Sequence, residues 1–353
     1  MTVARTRKQG KVRLARLTDL AALGELSRLC QTDDSAARSL GLPVSGPPIG
    51  VFSLFRLPLG AFRPNDLMYV YEEGGRISGL IRVERETTRD EWTIVELDAV
   101  GMADAGDIRY RLVNQLLREG ARRGAARFHV ACADVDGNVE LMMQAGFIRY
   151  GEERIMFRPD GELPKPWSDK ATNDARIRPA QQVDALALQR LYMAATPQPV
   201  ARLEAIRLPD WERQGNHWRV PRSSLAPILR FADIEAFVQE TPRGGKDGTQ
   251  LDGFLQVGVA KEDQPHYLKV LARPEADATA LIAFGLGIIE ARTTKGSEHR
   301  HDHGVIAPVR TYEGPIDNRL EEAAFGSIAS VTLLMKETLV RVAEPALVPA
   351  GVR

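Results

Sequence analysis

The 353-residue chain is 44% hydrophobic and 27% charged, with 47 Lys plus Arg balanced by 47 Asp plus Glu. That length predicts two domains of ordinary size, and the zero balance excludes a global pull toward nucleic acid or an anionic membrane. No apolar run reaches the ~18 residues a bilayer span needs, no apolar segment follows the basic start as in a signal peptide, and Cys30 and Cys132 form no C-x-x-C pair, so the expectation is a soluble, cytoplasmic protein without a disulfide scaffold or membrane partner.

In chain order, Met1 to Arg13 is basic through Arg5, Arg7, Lys8, Lys11 and Arg13 and reads as a frayed terminus, with a nucleic-acid arm as the disfavoured alternative. A short strand over Val12–Ala15 leads to an amphipathic helix from Asp19, whose Leu20, Leu23, Leu26 and Leu29 recur at helical spacing. A Pro- and Gly-rich region, 41–60, follows. Strands over Asp66–Glu72 and Ile77–Glu84 flank Gly74-Gly75, a hairpin turn in which glycine supplies positive φ. A strand over Trp92–Met102, a helix over 107–122, a strand over Arg127–Ala133, a short helix ending in Ala145-Gly146-Phe147 and a closing strand over Arg149–Arg158 complete the first half.

The segment RPDGELPKPWSDKATNDA carries Pro159, Gly161, Pro164 and Pro166, which interrupt helix and sheet alike. It divides the chain into residues 1–158, a linker at 159–175, and residues 176–353. The second part repeats the first: strand 176–178, a helix lined by Val183, Leu186, Leu188 and Leu191, a Pro-rich region from Pro197 to Pro227, strands 234–240, 251–259 and 266–272, a helix over 275–292, strand 305–309, a short helix ending in Ala323-Ala324-Phe325, and strand 327–339. Arg13 is matched with Arg176, Gly79 with Gly253 and Phe147 with Phe325. Two copies at this period mean duplication.

This element order, above all EWTIVELDAVGMADAGDIRYRLVNQLLREGARRGAARFHVACADVDGNVELMMQAGFIRYGEERIMF from 91 to 157, resembles the GNAT N-acetyltransferase superfamily in a tandem arrangement. The resemblance implies an α/β protein of two acyl-CoA N-acyltransferase-like domains, each a mixed, mostly antiparallel sheet flanked by helices, with the C-terminal domain the more degenerate. It implies a V-shaped slot between two splayed parallel strands, where the pantetheine arm of acetyl-CoA, the cosubstrate, pairs as an added strand, and a helix start that holds pyrophosphate. Carried to this chain, Val100 and Met102 offer backbone pairing. Tyr110, Arg111 and Leu112 offer N–H groups, and the Arg109 and Arg111 side chains offer charge. The family's small residues in that turn are replaced by Arg111 and Val113. Its tyrosine acid is replaced by Met142 and Leu320, and its asparagine by Val135 and Glu313.

Glu96 and Asp98 stand on one face of the fourth strand by alternation. They are the candidate bases that would take a proton from an amine acceptor. The run Glu298-His299-Arg300-His301-Asp302-His303 has alternating imidazoles but reads as a solvated loop, so no metal is expected. His129 reads as a core or rim residue. The functional expectation is an acetyl-CoA-dependent N-acetyltransferase acting on a small-molecule or peptide amine, with its slot in the N-terminal domain. The C-terminal domain would shape the acceptor site or a homodimer surface. The alternative is a catalytically inactive tandem protein of this type that binds a ligand or partner.

Overall fold

The computed structural model describes residues 10–32, 40, 66–86, 89–100, 105–159, 176–212, 221–229, 231–241, 250–260, 264–295 and 304–338. Met102, the basic residues before Gly10, the region 41–65, linker residues 160–175 and the histidine run at 299–303 lie outside them. The first half contains β1 (Lys11–Leu14), a 3₁₀ turn (Leu17–Asp19), α1 (Leu20–Thr32), β2 (Asp66–Glu73), β3 (Arg76–Glu86), β4 (Glu91–Ala99), α2 (Ala105–Arg122), β5 (Arg127–Cys132), α3 (Asn138–Gln144) and β6 (Ile148–Arg158). The second contains β7 (Ile177–Pro179), a 3₁₀ turn (Gln182–Asp184), α4 (Ala185–Ala195), α5 (Gln198–Glu204), α6 (Leu208–Glu212), β8 (Phe231–Glu240), β9 (Leu251–Ala260), β10 (His266–Ala272), α7 (Thr279–Lys295), β11 (Val305–Arg310), α8 (Gly314–Glu322) and β12 (Gly326–Glu337).

The first corner of each half is built from the same parts. Arg13 donates to both carboxylate oxygens of Asp19, at 2.6 and 2.9 Å, and to Glu72. Arg178 donates to both oxygens of Asp184, each at 2.8 Å, and to Glu240. The same aspartates accept the backbone N–H of Arg16 and Gln181, which ties the incoming strand to the helix start. The partner of Arg13 is therefore Arg178, two residues beyond the Arg176 suggested by counting along the chain. The pairing of Gly79 with Gly253 holds: a Cβ on Gly79 would lie 2.6 Å from Ile108 Cγ2, and one on Gly253 would lie 2.3 Å from Leu281 Cδ1. Each glycine lets a helix of its own half pack directly on the sheet.

The strands join in one sheet, in the order β1-β2-β3-β4-β5-β12-β6-β11-β10-β9-β8-β7. All neighbours are antiparallel except β4–β5 and β10–β11. The closing strands are exchanged. β12 pairs with β5, and β6 pairs with β11. The two closing strands also pair with each other, from Gly326 opposite Phe157 to Met335 opposite Ile148. This order reads the same from either end and relates the halves by an approximate twofold normal to the sheet. One face is covered by α2 and α3 and by α7 and α8, over cores containing Leu112, Leu116, Phe128 and Val130 and, in the second half, Leu268, Leu281, Ile282 and Ala307. The other face carries α1, then segment 221–229 through Leu225 and Leu229, then α4–α6 around Trp211 and Phe254.

Gly253→Ala is expected to force Leu281 from its position and to lower stability by about 1–3 kcal/mol, the usual penalty of overpacking. Urea denaturation measures this, and an unchanged midpoint would mean that the β9–α7 contact relaxes freely.

Candidate active site

Parallel pairing of β4 with β5 runs from Glu91 opposite Arg127 to Ile94 opposite Val130 and stops there. Beyond Ile94, β4 continues to Ala99 on its β3 partner alone. The departure coincides with a bulge: Val83 faces Ile94 and Arg82 faces Glu96, which leaves Val95 without a cross-strand partner. A bulge at the fork re-aims the strand and opens a V between β4 and β5. At its far side Ala133 N–H donates to the carbonyl of Leu40, at 2.7 Å, so the backbone left for a guest strand belongs to β4.

Glu96 and Asp98 share the face of β4 that lies away from α2, since the intervening Leu97 packs into the α2 core. Glu96 is half-buried and accepts a 2.8 Å bond from Arg82 Nε. Asp98 is buried. Val100 donates its N–H to Ser78, at 2.9 Å, so only its carbonyl remains for another partner. The helix expected from residue 107 starts at Ala105. Tyr110, Arg111 and Leu112 therefore sit in its second turn, where each N–H meets the carbonyl four residues back. The helix start instead presents Ala105, Gly106 and Asp107, and no atom lies within 4 Å of a Cβ built on Gly106. Arg109 turns toward α3, donating to Asn138 Oδ1 at 2.8 Å and to the Asp136 carbonyl. Arg111 pairs with Asp107 at 2.7 Å. Leu112 is fully buried and Tyr110 is exposed. Met142 and Leu320 are both core residues.

The corresponding V of the second half is bridged. β10 pairs with β11 only at His266–Val305 and Tyr267–Ile306. Register places Lys269 opposite Gln256, three residues after Gly253, as Glu96 stands opposite Arg82, three residues after Gly79. Lys269 is 1% exposed. Its Nζ donates to the Pro308 carbonyl on β11 at 3.1 Å and to Glu313 Oε2 at 3.0 Å. A cation thus spans this gap, where the first half carries Glu96 at the matching register position.

Where the halves meet, charges are buried in a network that sequence reasoning missed. Glu91 contacts Arg222, with Arg89 at 3.1 Å, His129 Nε2 at 3.4 Å and Arg127 at 3.6 Å. Arg310 reaches Glu204 at 2.8 Å, the Arg222 carbonyl at 2.8 Å and Glu153 at 3.3 Å. Glu204 also accepts from Tyr192, at 2.7 Å, and Glu153 accepts from Ser224. Burial works to raise the Glu91 carboxyl, but His129, Arg222 and Arg89 outweigh it and hold it at about 2. Burial, with Arg222 beside it, pushes His129 down to about 4. Neither ring nitrogen makes a hydrogen bond of good geometry to a described residue, and with His129 neutral the 3.4 Å approach to Glu91 is no ion pair. A cleft of about 570 Å³ lies at the paired end of β4 and β5, beside Arg89, Glu91, Arg127 and Asp210, and is remote from the V.

No protein-family profile matches the chain, and no curated protein matches its sequence. Solved structures do match its fold. A tandem GNAT protein from the clavulanic acid biosynthesis pathway superimposes over 93% of this chain and 98% of its own, at 12% identity and a TM-score of 0.54. A GCN5-related N-acetyltransferase from Sphaerobacter thermophilus does so over 94% and 96%, at 13% identity and 0.51. A fungal glucosamine N-acetyltransferase region within a multi-domain GH3 β-N-acetylglucosaminidase matches over 93% of this chain and 38% of its own, at 10% identity and 0.52.

The His129 pKa lies below its ordinary value of about 6.5. As pH falls from there, the unfolded chain takes up a proton that the folded chain refuses, and stability drops until about pH 4. Glu91 adds to the loss only below its ordinary range. His129→Gln is expected to remove a slope of up to roughly 1.4 kcal/mol per pH unit, read by urea denaturation at stepped pH. An unaltered slope would assign the titration to another group. The architecture, with its two splayed parallel pairs and helix-covered sheet, is that of a tandem protein of the GNAT, or GCN5-related N-acetyltransferase, fold.

Proposed function

We propose that the protein is an acetyl-CoA-dependent N-acetyltransferase with a single working slot, in the first half. The observation that carries the reading is the contrast between the two V-shaped gaps. β4 leaves β5 at a bulge and keeps a carboxylate, Glu96, on the splayed stretch. The matching stretch of β10 holds Lys269, which ties the gap shut. Pantetheine fits along β4 from Val95 toward Val100 as an added strand, reaching the Val100 carbonyl. The phosphates fit at the first turn of α2, around Gly106, with Arg111 and Arg109 as the nearby cations. The chain's own part in the reaction is to position and to move a proton. Glu96, with Asp98 beside it, takes the proton of the acceptor ammonium. The neutral nitrogen then attacks the thioester carbonyl carbon, the C–S bond breaks, the nitrogen gives up its second proton to solvent, and the sulfur leaves as thiolate, to be protonated by solvent because Met142 cannot donate.

A second reading, a non-catalytic tandem protein that binds another ligand, is favoured by the turn at α2. Asp107 stands in the first turn of that helix, where a carboxylate opposes an anion, and Arg109 is already engaged with Asn138. Calorimetry separates the two. Acetyl-CoA is expected to bind the full chain at one site per polypeptide and to raise Tm by mass action. Two sites would contradict the closure by Lys269, and an unchanged Tm at saturating acetyl-CoA would leave the non-catalytic reading.

A further inference from the structure

At the fork of the V, on the face away from α2, segment 221–229 of the second half closes over β4, β5 and β6 of the first. Between them lies a cavity of about 30 Å³, room for roughly two waters or one small polar group. Thr93, His129, Tyr150, Arg222, Ser223 and Arg310 line it, with Ile94 at the bulge. The carboxylates that hold the two guanidiniums, Glu91, Glu153 and Glu204, stand behind them, and none is part of the lining. Arg310 is 3% exposed. Its Nη2 and Nε are engaged, while its Nη1 has no hydrogen-bond partner among the described residues, and neither has Arg222 Nε. A buried guanidinium N–H without an acceptor is uncompensated. Two such donors beside the hydroxyls of Thr93, Tyr150 and Ser223 make a site for a planar anion.

We propose that this cavity takes a carboxylate of the acceptor, so that the molecule acylated is an amine that also carries a carboxylate, an amino acid or a close analogue. The proposal rests on the acyl-transfer reading above. The cavity begins at Ile94, and Glu96 follows two residues along β4, so a carboxylate held by Arg222 and Arg310 leaves an amine of the same molecule beside the splayed stretch. The second half then contributes the acceptor specificity of the first, through Arg222, Ser223 and Arg310. A planar carboxylate fits both the fork of a guanidinium and the small volume.

The test is calorimetry on the full chain with α-, β- and γ-amino acids, each compared with its primary amide, with and without acetyl-CoA. At least one acid is expected to bind about tenfold or more tightly than its amide, because the amide leaves buried donors unpaired. Arg222→Gln is expected to erase most of that preference with acetyl-CoA affinity unchanged. The comparison on the unaltered chain stands even if a variant fails to fold. Equal binding of acids and amides, no binding of either, or a preference that survives Arg222→Gln would overturn the proposal. Failure of acetyl-CoA to bind while the preference holds would keep the carboxylate site and remove the acyl-transfer reading.

Discussion

The ladder between β6 and β12 is the constraint on which the rest of the molecule depends. Each is the last strand of its half, and each pairs with the other's neighbour as well as with its counterpart. Neither half can therefore complete its sheet from its own residues. The exchange brings β6 of the first half, with Tyr150 and Glu153, against β11 and segment 221–229 of the second. Charges that would be solvated on two separate domains are there removed from water. Such a network holds only if each member is matched, and Arg310 is the member that meets both Glu153 and Glu204.

The duplication has kept its framework and changed its gaps. The arginine–aspartate corners at Arg13 and Arg178 and the packed glycines at 79 and 253 correspond part for part. At the splayed strands the copies differ in charge at one register position: Glu96 is held from β3 by Arg82, whereas Lys269 is held from β11 and α8. Backbone geometry opens a V in both places, and in the second Lys269 spans it.

The elements were largely legible in the sequence because periodicity and turn residues act locally. The hairpin at Gly74-Gly75, the alternating strands and the apolar stripe of α2 all lie where patterning puts them. The exchange of β6 and β12 was not legible. Both strands alternate correctly for either partner, and pairing across the halves is chosen by tertiary contacts that leave no local mark. The early start of α2 did carry a mark in the sequence, since Asp104 immediately precedes Ala105 and aspartate is favoured ahead of a helix start. Glu91, Glu153, Glu204, Arg222 and Arg310 carry no local mark in the sequence, since burial of an ion is decided by partners far away along the chain. Glu96 and Asp98 stood out because they interrupt apolar neighbours on one strand.

Lys269 also gives the molecule a direction of change. Its ammonium and the Glu313 carboxylate are buried together, so a substitution that removed the lysine would strand the glutamate, an effect of about 3–5 kcal/mol for such pairs. A descendant could reopen the second gap only by altering both positions, and the first step would pass through a weakened protein. Arrival at the closed state meets the same unpaired glutamate if the acid came first, so the two positions are coupled in either direction. Closure of the second copy is thus a coupled change at two positions, and the energetics of one ion pair keep the two halves, alike in framework, apart.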